Sequence, residues 1–330
     1  MYISIQYLRG FAAIFVLLSH ISFKLETHSF NFLNGFYIGS YGVDLFFIIS
    51  GFIMCLTVDN KKSTFVQFMK ARFVRIIPLY WILSIVALFI FIIKPSLINS
   101  SGGNTSILGS FTLLPNGDKY LINNGWTLSY EFFFYFIFAF FIPFKAWQKY
   151  LTSIVLLFLS VCGFLIDITN SYIIFMTSPL LLEFVMGIFC YKIIKQNLIK
   201  PTFSFLLFFV SIGLLTYVNL LDSKEYFLGR ALYAGLPMML LFLAVVSFEK
   251  KIPNNKFLFN IGMSSYSLYL LHPFVLSGVT VGFKFLGLMD YEYIYFLSML
   301  FISLISAWLC YKLIELPVDK KIRNYLYSRV

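Results

Sequence analysis

Ten long apolar blocks, separated by short polar segments, make up most of this 330-residue chain. A helix needs about 20 residues to cross the roughly 30 Å hydrocarbon core of a bilayer, and the blocks have about this length. The sequence therefore predicts about ten transmembrane helices. They lie at roughly 3–23, 36–58, 72–93, 126–143, 150–168, 172–191, 203–221, 231–248, 260–286 and 293–314.

The composition excludes several other classes of protein. Hydrophobic residues make up 60% of the chain and charged residues only 12%, about half of the roughly 25% typical of soluble domains. Because a soluble globule needs a polar shell, this excludes a soluble enzyme, a disordered chain and a secreted disulfide scaffold. A membrane β-barrel would instead show segments of about ten alternating residues. The predicted fold class is all-α, a polytopic integral membrane helical bundle.

The lysines and arginines orient this predicted bundle. Eighteen lie in connections and a tail on one side of the alternating spans, six lie on the other side, and Arg9 lies inside the first span. Because basic residues favour the cytoplasmic side, this distribution predicts that both termini are cytoplasmic. We expect a multi-pass integral membrane protein. The net charge of +11 serves orientation in this interpretation, so no nucleic-acid partner is expected.

We expect a single transmembrane domain over residues 1–330 with no extra soluble domain. A long outer loop is predicted at about 95–125, and a short cytoplasmic tail at about 315–330. The loop is rich in asparagine, serine and glycine, and its length suits either a lid that binds an acceptor or a plain connector. The four cysteines lie inside apolar blocks without metal-ligand spacing, which indicates packing residues and no metal site.

Arg9 and His20 lie on one face of the first predicted span. Their separation of 11 residues corresponds to about three turns plus 20°, and to about 16.5 Å along the helix axis. Asp44, in the outer half of the second span, lies at a depth comparable with that of His20. A buried carboxylate needs a partner or a proton, and a His–Asp pair also makes a general base. The other interpretation is a snorkelling arginine and a structural histidine.

Arg72 and Arg75 begin the third span at its cytoplasmic end. At a spacing of three residues they share a helix face, and paired guanidinium groups suit phosphate or pyrophosphate. Ordinary flanking charge is the alternative interpretation. Together with the acidic residues and histidines of the outer half, these arginines suggest two layers, with an anionic ligand entering from the cytoplasm and acid–base chemistry near the outer face.

Five further residues are candidates for binding or structural roles. Trp126 and Glu131 lie in the outer third of the fourth span, where Trp126 is a possible interfacial anchor and Glu131 a possible acid or base. Glu183 lies midway through the sixth span and should face the bundle interior. Ser50 lies near the midplane, where a small residue permits close helix contact. His272 precedes Pro273 in the ninth span, where a structural and a catalytic role are both open.

Seven segments in this order resemble the membrane-bound acyltransferase-3 family. They are YLRGFAAIFVLLSH, GVDLFFIISGF, RFVRIIPLYW, WTLSYEFFFY, LLLEFVMG, SYSLYLLHP and the terminal IELP. The start IQYLRGFAA is most similar to the branch that O-acetylates exopolysaccharide or lipopolysaccharide sugars.

The resemblance implies an O-acetyltransferase that takes an acyl group, usually acetyl, from cytoplasmic acyl-CoA. The acceptor would be a hydroxyl of a cell-envelope or exported glycan. Arg9, Arg72 and Arg75 would bind the phosphates of the coenzyme, and His20 would act as the base, oriented by Asp44 or Glu131. Some relatives carry an extra extracytoplasmic domain of the SGNH type. Because no such domain is expected here, the acyl group would pass directly to the acceptor or through a separate partner. Its expected partners are the glycan and the lipid bilayer, and its expected location is the inner membrane of a bacterium.

A transporter or flippase of a lipid-linked glycan is the main alternative. Ten spans with buried ionisable residues suit that function too. The sequence contains no inverted repeat and no pair of broken helices at matching positions, which are typical of many transporters. A structural or assembly role is a third alternative, but it does not require a layer of histidines and carboxylates.

Overall fold

The computed structural model describes residues 2–30, 32–33, 35–98, 102–166, 169–220 and 229–327. Lys224 and Arg329, which entered the prediction of orientation, lie outside these ranges, as do parts of the predicted outer loop and tail. Within the described ranges the regular secondary structure is helical, apart from an isolated β-bridge between Thr105 and Lys119. The predicted all-α fold class is therefore confirmed.

Fifteen α-helices occur within the described residues. In chain order they are α1 (Ile3–Glu26), α2 (Gly42–Asn60), α3 (Phe65–Ile93), α4 (Pro95–Ile98), α5 (Ile107–Thr112), α6 (Gly125–Phe140), α7 (Gln148–Leu165), α8 (Ser171–Met176), α9 (Leu181–Lys195), α10 (Pro201–Leu220), α11 (Leu236–Ser247), α12 (Lys256–Met263), α13 (Ser265–Phe285), α14 (Glu292–Cys310) and α15 (Leu316–Tyr327).

Short helical segments of other types adjoin several of these helices. Three are 3₁₀ segments, at Tyr37–Tyr41, Ile142–Trp147 and Glu249–Lys251. Two are π-helical, at Ala231–Gly235 before α11 and at Tyr311–Glu315 before α15. Single π turns within helices are often found at functional sites. Arg230 precedes the first of these segments and Glu315 ends the second, and each of these residues forms an ion pair.

Eight helical stretches in the described part of the chain are long and apolar enough to cross a membrane. The predicted spans 126–143 and 231–248 correspond to shorter helices, the 16-residue α6 and the apolar helix Ala231–Ser247. The predicted span 260–286 is divided between α12 and α13. A multi-pass membrane bundle is thus confirmed, whereas the count of ten spans and the cytoplasmic termini remain predictions.

The chain divides into two compact units. The first comprises Met1–Ile49 and Phe189–Leu313, and the second comprises Ser50–Ile188 and Ile314–Val330. The expectation of a single transmembrane domain over residues 1–330 remains a prediction. Each unit has its own buried polar residues.

Helix α1 lies at the centre of the first unit, in contact with α12, α13 and α14. Its first turn is held by Glu249, whose carboxylate accepts hydrogen bonds from the backbone N–H groups of Ile3 at 2.6 Å and Ser4 at 2.9 Å. An acidic group at a helix N-terminus satisfies free N–H donors and complements the helix dipole. The apolar core of this unit is built from residues of α1, α13 and α14, namely Ala13, Leu17, Ile21, Leu25, Leu268, Leu276, Tyr295, Met299 and Ala307.

A pair of glycines allows α1 and α12 to approach closely. A Cβ atom at Gly10 would lie 3.1 Å from the backbone N of Gly262, and a Cβ atom at Gly262 would lie 2.1 Å from the carbonyl oxygen of Gln6. The second distance is far below van der Waals contact, so only glycine fits there. Small residues at helix contacts are a general feature of membrane bundles.

The second unit is built around α3, which contacts α5, α6 and α15. Helix α3 begins with a capping box, in which the Thr64 side chain accepts from the backbone N–H of Gln67 and the Gln67 side chain accepts in return. In its core, the rings of Phe134 and Phe184 stack at 4.4 Å. A Cβ atom at Gly51 would lie 2.3 Å from the carbonyl oxygen of Phe184, which explains a glycine at this close contact.

The described part of the outer loop is tied to α3. The Tyr80 hydroxyl donates to the carbonyl oxygen of Ser110 at 2.7 Å, and the Trp81 indole N–H donates to that of Phe111 at 3.0 Å. The backbone N–H of Leu121 donates to the Ser110 hydroxyl at 2.8 Å. Residues 102–124 are therefore anchored to the second unit at several points. A lid and a connector both remain possible functions for this loop.

Candidate functional site

Helix α1 carries Arg9 and His20 without interruption, as the spacing predicted. Both side chains are half-buried. The Arg9 guanidinium donates from Nη1 to the side-chain oxygen of Gln6 at 3.4 Å, one turn earlier on the same helix. The continuous helix keeps the two residues at a fixed separation along one axis.

His20 lies against His272 in the first unit. The two imidazole ring centroids are 4.9 Å apart, with the ring planes inclined at 52°. His272 is only 1% exposed. Its Nδ1 lies 3.0 Å from the carbonyl oxygen of Leu268, and its Nε2 is buried without a hydrogen-bond partner among the described residues. The structure thus brings together two of the sequence-predicted residues.

Asp44 is paired with Arg230. The hypothesis of a pair between Asp44 and His20 is therefore not what the structure shows. The Arg230 guanidinium donates from Nε to Oδ1 at 2.9 Å and from Nη2 to Oδ2 at 2.7 Å, and Nη2 also donates to the Ser40 carbonyl oxygen at 2.8 Å. Asp44 is fully buried. A guanidinium satisfies both carboxylate oxygens at once, which an imidazole cannot do, so Arg230 is the better partner.

This role of Arg230 was not predicted from the sequence, in which the residue counted only as a charge on the outer side. The available signal was a lone arginine at the start of one apolar block and a lone aspartate in the outer half of another. Arg230 directly precedes the π-helical turn Ala231–Gly235, and its guanidinium lies 5.8 Å from the ring centroid of Tyr41.

A second constellation lies in the second unit, around Glu131. Ser50 Oγ donates to Glu131 Oε1 at 3.0 Å, and the Tyr135 hydroxyl donates to the same oxygen. Ser50 Oγ also lies 3.1 Å from the Tyr135 hydroxyl. Ser50 therefore has a polar contact in addition to any packing role, and it lies in the middle of α2. The contact places Glu131 beside the middle of α2, and its predicted position in the outer third of the membrane remains a prediction.

Tyr135 was not predicted from the sequence. It follows Glu131 by four residues, so both side chains lie on one face of α6. Its ring contacts Phe68, with centroids 6.2 Å apart, and the Arg72 guanidinium lies 5.8 Å from the centroid of the same Phe68 ring. Arg72 is thus close to the Ser50–Glu131–Tyr135 cluster.

Arg72 and Arg75 share the start of α3 but have different surroundings. Arg72 is half-buried, and its Nε is buried without a hydrogen-bond partner among the described residues. Arg75 forms an ion pair with Glu315, from Nη1 to Oε1 at 3.2 Å. Glu315 belongs to the terminal IELP segment and is 3% exposed. The two guanidinium groups are therefore not equivalent, because the charge of Arg75 is balanced by a buried carboxylate.

Trp126 and Glu183 also lie in the second unit. The Trp126 ring meets that of Tyr130 edge-to-face at 5.9 Å, and Trp126 is half-buried. Glu183 is fully buried in α9, as expected for a carboxylate within a span. No group of three or more potential metal ligands occurs among the residues that the structure describes.

One titratable group lies beyond the end of α1. Burial and the nearby ammonium groups of Lys284 and Lys24 lower the pKa of His28, in that order of size. The ring of His28 lies 6.1 Å from that of Tyr295.

Comparisons with known proteins identify the family of this chain. The family model described as an acyltransferase domain, that of the acyltransferase-3 family, matches residues 2–314. The exopolysaccharide production protein ExoZ of Rhizobium meliloti (strain 1021) is 30% identical over 271 residues, which cover 77% of this chain and 81% of that protein. No solved structure matches the chain significantly. The resemblance inferred from the motifs is confirmed: this multi-pass membrane protein belongs to the acyltransferase-3 family.

Proposed function

We propose that this protein transfers an acyl group, acetyl in the simplest case, from cytoplasmic acyl-CoA to a sugar hydroxyl of an exopolysaccharide or its precursor. The family match over residues 2–314 supports acyl transfer. The name of the relative ExoZ supports an acceptor connected with exopolysaccharide production. In this proposal the chain spans the inner membrane of a bacterium, with both termini in the cytoplasm.

The observation that carries the proposal is the pair of imidazole rings formed by His20 and His272. Histidine is the side chain best suited to accept and return a proton near neutral pH. His20 is half-buried, so part of its side chain remains exposed. His272 is fully enclosed behind it.

The chemistry assigned to His20 is general base and then general acid catalysis. His20 takes the proton from the sugar hydroxyl while its oxygen attacks the thioester carbonyl carbon. A new C–O bond forms and the C–S bond breaks. The proton on His20 then passes to the departing sulfur, which leaves as the free thiol of coenzyme A. No further reactant is needed.

We assign the phosphate groups of the coenzyme mainly to Arg72. Its buried Nε has no hydrogen-bond partner among the described residues, so an anionic oxygen would satisfy it. A guanidinium is well suited to phosphate because its donors match phosphate oxygens in pairs. The charge of Arg75 is already balanced by Glu315, and Arg9 contributes positive charge on α1.

Glu131 has a supporting role in this proposal. Its Oε1 accepts hydrogen bonds from both Ser50 and Tyr135, which fixes the orientation of the carboxylate. With Asp44 held by Arg230, Glu131 is the remaining carboxylate among those predicted for the acid–base chemistry.

The test is a transfer reaction with purified components. We would incubate the protein in lipid nanodiscs with acetyl-CoA labelled in the acetyl group and with extracted envelope glycan. Label is expected to move to the glycan with the wild type and with His28→Gln, but not with His20→Ala. Label that remains on the coenzyme with folded wild-type protein would contradict the proposal, and is the result expected of a transporter.

A further inference from the structure

His272 has one ring nitrogen whose hydrogen-bonding role is settled by its partner. The carbonyl oxygen of Leu268 only accepts hydrogen bonds, so His272 Nδ1, 3.0 Å away, must donate to it. In the neutral ring the proton therefore lies on Nδ1, and Nε2 carries a lone pair.

That lone pair is buried, and no donor among the described residues satisfies it. His272 is 1% exposed, and Nε2 has no hydrogen-bond partner among the described residues. Buried polar atoms in folded proteins are nearly always hydrogen-bonded, and exceptions often mark functional groups. The ring in contact with His272 that carries an N–H group is that of His20, 4.9 Å away between centroids.

We propose that His272 is a positioning residue for His20. When substrates are bound, Nε2 of His272 accepts a hydrogen bond from a ring N–H of His20. This inference rests on the proposed function. It gives His272 the role that the sequence suggested for Asp44, whose carboxylate is occupied by Arg230. Hydrogen bonds between catalytic groups often become short only in the substrate complex, so the present separation of the rings is a suitable starting geometry.

The consequence for the reaction is a defined tautomer of His20. When one ring nitrogen of His20 donates to His272, the other nitrogen has a free lone pair for the sugar hydroxyl. The proton from the hydroxyl then moves to that second nitrogen, and His272 stays neutral throughout. The arrangement follows the logic of a base oriented by a third group, with an imidazole in place of a carboxylate.

Two substitutions separate positioning from a purely structural role. Asparagine places an amide near the position of Nδ1, so His272→Asn keeps a donor for Leu268 but removes Nε2. Glutamine places an amide near the position of Nε2, so His272→Gln restores an acceptor towards His20. We expect His272→Asn to lower kcat by about 10²-fold, within the range for general acid–base groups, with KM for both substrates nearly unchanged. His272→Gln should recover at least about a tenth of the wild-type kcat.

Nuclear magnetic resonance gives a test that does not depend on transfer. The chain has three histidines, so labelling histidine with ¹⁵N yields a small set of ring signals that substitutions can assign. We expect the Nε2 signal of His272 to shift in His20→Ala and to remain in place in the matched control His28→Gln.

The outcomes distinguish this inference from the proposed function. Absence of transfer by the wild type would overturn the proposed function, while the response of the His272 signal to His20→Ala would still test the contact. Wild-type kcat in His272→Asn, in a preparation that transfers label, would overturn the positioning role alone. Equal losses in the asparagine and glutamine variants, or an Nε2 signal indifferent to His20→Ala, would overturn it as well.

Discussion

Arg230 binds both carboxylate oxygens of Asp44, with 2.9 Å from Nε to Oδ1 and 2.7 Å from Nη2 to Oδ2. Asp44 is fully buried, whereas 29% of the Arg230 side chain is exposed. Removing one partner of a buried pair leaves an uncompensated charge, which typically costs 3–5 kcal/mol. Because Arg230 is partly exposed, solvent reaches the space that its side chain would leave beside Asp44, which reduces this cost.

Breaking this pair should therefore destabilise the protein. We expect Arg230→Gln to lower the free energy of unfolding by about 2–4 kcal/mol, and the double variant with Asp44→Asn to regain part of the loss. A double-mutant cycle from equilibrium unfolding in mixed micelles measures the coupling. The control is Asp319→Asn, which removes a surface pair with Arg323 and should cost at most about 0.5 kcal/mol. If Arg230→Gln and Asp319→Asn lowered the free energy of unfolding equally, the pair of Arg230 with Asp44 would not behave as a buried pair.

The different surroundings of Arg72 and Arg75 predict different kinetic effects. Arg72→Lys keeps the positive charge but loses the planar pair of donors, so KM for acyl-CoA should rise about tenfold while KM for the glycan stays constant. Arg75→Lys should change KM less, since Glu315 already neutralises that charge. Initial rates at varied acyl-CoA decide the matter. An unchanged KM in Arg72→Lys would contradict the phosphate role.

The contact between α1 and α12 predicts opposite effects for two glycines. Gly262→Ala places a methyl group 2.1 Å from the Gln6 carbonyl oxygen, and should destabilise the first unit by about 1–3 kcal/mol or more. The control is Gly278→Ala, in helix α13, where a Cβ would meet no atom within 4 Å. Alanine is the better helix former, so this variant should gain about 0.5–1 kcal/mol. Thermal unfolding of both variants measures the difference, and a stable Gly262→Ala protein would refute the close contact.

The lowered pKa of His28 predicts a pH dependence of stability. Because the folded-state pKa lies below the ordinary value of about 6.5, the unfolded state binds the proton more readily as the pH falls. The contribution of His28 is therefore neutral well above pH 6.5, becomes destabilising as the pH falls below about 6.5, where the unfolded state takes up the proton, and levels off below the folded-state pKa. His28→Gln should lose less thermal stability than the wild type between pH 8 and pH 5. An equal fall in melting temperature between pH 8 and pH 5 for the wild type and His28→Gln would contradict this prediction.

Relationships along a single helix were predictable from spacing alone. Arg9 and His20 lie on one continuous helix, α1. Their separation of 11 residues is close to three whole turns, so the sequence alone indicates that they share a face. The burial of Glu183 was also predictable, since a carboxylate within a span must avoid lipid. The family could be identified for a related reason, because motif order is written in the sequence itself.

Relationships between helices were not predictable in the same way. Depth along a span suggested His20 as a partner for Asp44, but lateral position decides contacts, and Arg230 occupies that position. The same limitation hid Tyr135 next to Ser50, since nothing in either segment indicates which helices are neighbours. Some helices are also shorter than the apolar blocks that predicted them. The block 126–143, for example, contains the 16-residue helix α6, because a different helical segment follows within the same apolar block.

The central claim is acyl transfer by a catalyst that depends on His20, and mass spectrometry of the exported glycan tests it most directly. Glycan would be prepared from cells that lack this gene and from the same cells carrying either the wild type or His20→Ala at equal protein levels. We predict a mass increase of one acyl group per modified sugar with the wild type only. The same increase with His20→Ala, or no difference between the wild type and cells without the gene, would contradict it.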